Sequence, residues 1–321
     1  MRQAILKILS ASLFCLAGGA SIASDYPQKP IRLVVPAAPG GITDIVARLV
    51  AAKLSIEFGQ SVFVENKAGG GGRIAPAEIA RAQSDGYTLL YANAVGNALL
   101  PAVVKSIAYD PVKDFTPVAL LFGYATTIVC HPSFPANSIQ ELVEYARKNP
   151  NKVTVASGGQ GSGNHFSMEL LDSMAKVKML HVPYKGSGPA LQDVMAGVVA
   201  CTHDGAAKGA VEAGRVKALA TTGLTRDPRF PSVPTLDEAG FKGYDMTWWQ
   251  GVVAPVGLPG PVLDRLQKAL RKVSEDPDIR AKAYQAGVNP LWGDSIEFQR
   301  VIARDMSKFK SIAVNSGITL E

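Results

Sequence analysis

From residue 31 onward, short apolar runs alternate with stretches whose apolar positions recur at helical spacing. Ile31-Arg-Leu-Val-Val-Pro36 reads as a buried strand. Val46, Leu49, Val50 and Leu54 then form one helical stripe, with Arg48, Lys53 and Glu57 off it. The same reading predicts strands over 31–36, 61–65, 88–92 and 117–121 and helices over 44–58, 74–81 and 96–105. A second series follows: strand 126–130, helix 139–148 with Ser138 and Glu141 as a capping box, strand 153–156, helix 164–174, strand 179–182, helix 189–196, strand 199–203, helix 207–213 and strand 218–222. Beyond the turn-rich stretch 226–234 come one strand near 251–254 and two amphipathic helices, 260–274 and 295–315, that have no sheet of their own to cover. They pack most economically back on the first series. The expectation is therefore an α/β protein of two lobes with mainly parallel sheets, lobe 1 being 24–123 plus 245–321 and lobe 2 being 124–244, with a ligand cleft between them.

The first residues read as a targeting segment rather than part of this fold. Arg2 and Lys7 supply positive charge, residues 8–20 a short apolar core, and Ser21-Ile-Ala23 the small residues of a cleavage site, so export to the periplasm with cleavage near Ala23 is expected. No later stretch has the roughly 18 uninterrupted apolar residues of a membrane span. The mature chain keeps 31 basic against 27 acidic residues, spread without a Lys/Arg run or interleaved aromatics, which argues against nucleic-acid binding. Cys15 falls in the targeting segment; whether the remaining Cys130 and Cys201 pair is left open by the sequence.

Candidate chemistry concentrates in glycine-rich turns between a strand and a helix. Helix-start amides lack internal partners and sit at the positive end of the helix dipole, so such a turn suits an anion, a carboxylate above all. In the first turn Pro39, Gly40, Gly41 and Thr43 shape the grip, with Thr43 or Asp44 as helix cap. In the second, Gln160, Gly161 and Ser162 form the other half, and Ser162 and Asn164 can cap or donate hydrogen bonds. Two such turns, one per lobe, would hold one carboxylate from both sides. A third turn brings Tyr184 toward a strand end, where packing competes with ligand contact. Asp204 suits a ligand hydroxyl, amide or ammonium, with helix capping as the alternative, and Trp249 or its neighbour Trp248 offers an aromatic wall.

Gly69-Gly-Gly-Gly72 has neither dinucleotide nor P-loop spacing, and the four histidines lack the i, i+4 spacing of a helical metal site, so neither cofactor nor metal is expected. The rival reading is an exported hydrolase of a small acid or amide. Ser162 and Ser187 both lie outside the Gly-x-Ser-x-Gly arrangement, and His165 is near Ser162 only in sequence.

Taken together and in order, Tyr26-Pro-x-Lys-Pro-Ile-Arg-Leu-Val-Val-Pro-x-x-Pro-Gly-Gly-x-Thr-Asp44, Val64-Glu-Asn-Lys-x-Gly-x-Gly-Gly72, Asp85-Gly-Tyr-Thr-Leu89, Tyr109-Asp-Pro-x-Lys-Asp-Phe-x-Pro-Val118, His181-Val-Pro-Tyr-Lys-Gly186 and Val233-Pro-Thr-x-x-Glu-Ala-Gly240 make the mature chain resemble the Bug family, receptors of tripartite tricarboxylate transport. The resemblance implies a type II periplasmic binding protein-like fold that closes over a carboxylate, amino acid or aromatic acid. It also implies a membrane transporter or a sensor protein as partner and a monomeric receptor without catalysis. By that resemblance the loops 39–44 and 158–164 grip one carboxylate, and selectivity falls to Asn93, Asn97, Tyr124, His165, Asp204 and the Trp248–Trp249 region. Ala37-Ala38 and Ala200-Cys-Thr-His203 depart from the family pattern, so the ligand itself does not carry over.

Overall fold

The computed structural model describes residues 26–316 and 318; the expected targeting segment and its cleavage site lie outside the described residues. Two sheets organise the chain. The first contains β1 (Ile31–Val35), β2 (Val62–Asn66), β3 (Thr88–Asn93), β4 (Phe115–Ala125), β10 (Thr247–Pro255) and β11 (Asn289–Gly293), in the order β11-β4-β10-β3-β1-β2. The second contains β5 (Thr127–Cys130), β6 (Thr154–Ser157), β7 (Leu180–Pro183), β8 (Cys201–Asp204) and β9 (Lys217–Thr221), in the order β7-β6-β8-β5-β9.

The sheets are mixed, which corrects the expectation of mainly parallel pairing. β1 runs parallel to β2 and β3, and β6 parallel to β7 and β8, as strand–helix–strand units require. β10 runs antiparallel to β3 and β4, and β5 antiparallel to β8 and β9. The reason lies in the crossings: β5 follows β4 after the single residue Thr126, and β10 returns from the second sheet, so each enters its sheet from the lobe boundary rather than over a covering helix. At this crossing the Thr126 amide donates to Thr222 Oγ1 (2.9 Å), the Thr222 amide to the Thr126 carbonyl (2.9 Å), and the Met246 amide to the Thr222 carbonyl (2.7 Å).

Helices cover the sheets. On the first sheet lie α1 (Ile42–Phe58), α2 (Ile74–Ile79), α8 (Gly260–Glu275), α9 (Pro277–Gln285) and α10 (Ser295–Ser316), with α3 (Leu100–Val103) packed on α10; α5 (Gly163–Ala175) and α6 (Ser187–Met195) flank the second, and α4 (Ile139–Lys148) and α7 (Lys208–Glu212) share apolar clusters with its strands. The closing helices α8 and α10 do return to the first sheet, packing on β4. The helix expected over 96–105 is instead a wide π turn, Val95–Leu99, followed by the single turn of α3. α9 and β11 escaped the sequence reading because Pro277, Gly287 and Pro290 break the periodicity there. Cys130 and Cys201 face each other across the β5–β8 pair and form a disulfide in the apolar core of the second lobe.

Candidate functional site

The first glycine-rich turn leaves the end of β1 and enters α1. Gly40 has φ +84° and Gly41, the N-cap, is extended (φ −77°, ψ 164°) with no side-chain cap. The first-turn amides of α1 therefore face outward uncapped. Neither Thr43 nor Asp44 caps, which corrects the sequence assignment. Asp44 is buried in the first turn, where its Oδ2 accepts the Gly40 amide (2.9 Å) and Arg48 Nε (3.1 Å) while its Oδ1 accepts Asn66 Nδ2 (2.8 Å). Burial alone would raise its carboxyl; the bonds from Arg48, Gly40 and Asn66 prevail and hold it below the ordinary carboxylate range. Asp44 is thus a brace that shapes the turn, and it occupies the Gly40 amide. Thr43 is also buried, its Oγ1 accepting from Gln250 Nε2 (3.3 Å), while Gln250 Oε1 accepts the Tyr91 hydroxyl (3.0 Å). Pro39, Gly40 and Gly41 stay exposed.

The second turn joins β6 to α5. Ser162 is its N-cap, with Oγ accepting the His165 amide (3.4 Å), and Gly161 takes φ +75°. The Gly161 amide donates to His165 Nδ1 (3.2 Å), so the ring proton sits on Nε2, 3.4 Å from Glu169 Oε1. That hydrogen bond is the main reason the Glu169 carboxyl lies below its ordinary range. His165 stacks on His181, whose Nε2 meets Ser157 Oγ at 2.6 Å; Ser157 Oγ in turn accepts the Gly159 amide (3.1 Å). Asn164 donates from Nδ2 to the His203 carbonyl, tying α5 to β8. Sequence reasoning missed His181, Gln250 and Glu169. Only Glu169 left a signal, its i, i+4 spacing from His165 on one helix face.

Both turns lie where the lobes touch. A Cβ at Gly71 of the first lobe would stand 3.4 Å from the Gln160 carbonyl, and one at Gly163 would stand 3.1 Å from the Trp248 ring and 3.2 Å from Val95. Gly205, directly after Asp204, abuts Tyr124 and Ile42, the latter opening α1. Asp204 is buried, its Oδ1 accepting the Ala206 amide (2.6 Å), and burial pushes its carboxyl up to about 6. Its charge also helps burial raise the Tyr124 hydroxyl to about 12. Asn93 ends β3, with Oδ1 accepting the Gly96 amide (2.9 Å).

Two of the candidate side chains are bonded within their own lobe. Tyr184 packs with the apolar cluster beneath α6, and its hydroxyl donates to Asp193 Oδ2 (2.7 Å). Trp249 turns toward α10: its Nε1 donates to Asp305 Oδ2 (2.9 Å) and its ring meets Phe298 edge-on. Strand alternation puts Trp248, rather than Trp249, beside the second turn. Trp249 instead lines a separate cavity of about 200 Å³ with Asp305, Lys308 and Leu291. Among the described residues no cluster of three metal-ligating side chains occurs.

Residues 46–318 match the family described as the tripartite tricarboxylate transporter family receptor. A solved R. palustris protein with adipate is 34% identical over 92% of this chain and 99% of its own, with a TM-score of 0.87. The periplasmic binding protein BugD is 35% identical, at a TM-score of 0.86 over 92% of this chain and all of its own (100%). MatC from Rhodopseudomonas palustris with bound malate is 32% identical, at a TM-score of 0.83 over 89% of this chain and 99% of its own. The two lobes thus form a periplasmic binding protein fold, used for binding rather than catalysis, and the chain belongs to the Bug or TctC family of solute-binding receptors of tripartite tricarboxylate transport.

Proposed function

We propose that this receptor captures a small dicarboxylate in the periplasm, holding one carboxylate between the two glycine-rich turns. The observation that carries the reading is that both turns reach the lobe boundary: the uncapped α1 start, through Ile42, abuts Gly205 of the second lobe, and the Gln160–Gly163 turn abuts Gly71, Val95 and Trp248 of the first. Amides of the α1 first turn would bind one oxygen face, while Gln160 and Ser162 approach from the second lobe. Asp204 and Asn93 would address the far end of the ligand. Adipate and malate, found with relatives, are both dicarboxylates, which supports that ligand class. Lobe 1 would comprise 24–123 plus 245–321 and lobe 2 the residues between, after export and cleavage near Ala23; the protein would act as a monomer. Its closed form would be read by a membrane permease or a sensor protein.

The hydrolase alternative gains nothing from the Ser157–His181 contact, because Ser157 is buried and its Oγ also holds the Gly159 amide. Isothermal titration with adipate and malate, with their diamides as controls, tests the reading. Stoichiometric acid binding without product is expected, and Ser162→Ala should weaken it by about 1.5–3 kcal/mol, as for one hydrogen bond to a charged group. Equal binding of acid and diamide would overturn it.

A further inference from the structure

A second contact across the lobe boundary centres on Arg229. Arg229 follows β9 in the turn-rich segment that the hydrogen bonds of Thr221 with Pro234 and Leu236 fasten to the second sheet. Its guanidinium is 4% exposed and clamped on the 6%-exposed carboxylate of Asp227, with Nη2 at 2.6 Å and Nε at 3.0 Å. The remaining nitrogen, Nη1, donates to the Gly205 carbonyl (2.8 Å). Against this group sits Gly287, in the turn between α9 and β11 on the first sheet, with φ +90°. A Cβ there would collide with both the Arg229 guanidinium and the Gly205 carbonyl. Gly205 therefore meets elements of the first sheet on two sides, Gly287 at its carbonyl, where Arg229 of its own lobe also bonds, and Tyr124 of β4 and Ile42 of α1 at its Cα.

We infer that the Asp227–Arg229 pair is a closure latch: it presents the Gly205 peptide to a seat on the first lobe that only a glycine at position 287 leaves open. The inference goes beyond ligand capture and rests on that reading only for the probes used below. Opening the lobes would separate Gly287 from Arg229 and Gly205, so the contact favours the closed state and shifts the population toward it. Asp227 holds the guanidinium in place beforehand, so little side-chain freedom is lost on closing. Gly205 adjoins Asp204 in the chain. Contact at the far end of the ligand and seating of the latch thus act on one peptide segment, which couples occupancy to closure.

The test uses the full mature chain, spin-labelled at Ile56→Cys on the first lobe and Val198→Cys on the second, both strongly exposed, with the buried native disulfide left intact. Distance distributions are recorded without ligand and with saturating adipate or malate, alongside titrations. Gly287→Ala should lose the short-distance population and bind whichever acid the wild type binds at least tenfold more weakly. Because alanine at a positive φ could also strain the first lobe, the pair Asp227→Asn with Arg229→Gln is run in parallel; it removes the clamp without stranding a buried charge. It should show the same loss of closed population with an unchanged far-ultraviolet spectrum. Distributions identical to wild type in both variants, with and without acid, would overturn the latch. Altered distributions in a protein that binds neither acid would support the latch and reject the dicarboxylate reading.

Discussion

The imidazole of His165 lies flat on that of His181, ring centres 3.9 Å apart and planes within 10°, directly behind the second glycine-rich turn. Through Nδ1 of His165 and the Ser157 contact of His181, the stacked pair holds the Gly161 and Gly159 amides in place. His165→Ala would strand the buried Gly161 amide, so a stability loss of about 1–3 kcal/mol is expected in urea unfolding, with weaker acid binding in titration. Unchanged values for both would show that the turn holds itself.

Burial, then the neighbouring His165, lowers His181 to about 4. Its folded pKa lies below the ordinary 6.5, so its contribution to stability is complete above that value and is lost as pH falls toward 4. His203, lowered to about 4 by burial, acts in the same direction.

Asp172 carries the opposite sign. Burial raises its carboxyl to about 7; Oδ2 accepts the Met179 amide (2.8 Å) and Oδ1 is buried without a partner. A carboxyl raised on folding weakens the fold as pH climbs from its ordinary 3.8 through 7. Asp172→Asn keeps an acceptor for Met179 and removes that charge, so its stability gain over wild type should grow from near zero at pH 4 to about 2–4 kcal/mol at pH 8. Thermal melts across that range provide the measurement, and a gain independent of pH would contradict the assignment.

Gly40 and Gly41 should respond differently to substitution. Gly40 takes φ +84°, which an L side chain adopts at a cost, whereas Gly41 is extended with its nearest neighbour 3.7 Å from a Cβ position. Gly40→Val should weaken acid binding and cost about 1–2 kcal/mol, while Gly41→Ala should leave stability near wild type. Matched unfolding and titration curves for the two variants decide it; equal effects would mean that the backbone angle is not the controlling feature.

The disulfide should matter to the second lobe. Cys130 and Cys201 are 71 residues apart, and a loop of that length gives roughly 4 kcal/mol in the chain-entropy model. Urea midpoints with and without reductant should differ accordingly, and the Cys130→Ala, Cys201→Ala double variant should match the reduced protein. Coincident oxidised and reduced transitions would show that β-sheet packing alone holds this lobe.

Much of the site was legible because strand, glycine turn and helix stripe are local patterns. Ser162 as a cap and the α5 start came directly from residue order, since capping is settled within four residues. The roles of Asp44 and Tyr184 were not legible: their partners Asn66 and Asp193 are 22 and 9 residues away, and a side chain that can cap or contact ligand can equally brace its own lobe. Trp248 and Trp249 differ only in which face of β10 each occupies, and the phase of that strand depends on pairing with β3 and β4.

Taken alone, the sequence determined the α/β alternation, the two glycine-rich turns and the family pattern, because each follows from periodicity, backbone freedom or short motifs. Tertiary structure alone decided the antiparallel crossing strands, the disulfide, the stacked His165–His181 pair and the seating of Gly287 on Arg229. The physical reason is that these join residues 16 or more positions apart, and only the packing of elements within and between the lobes sets their distance and direction.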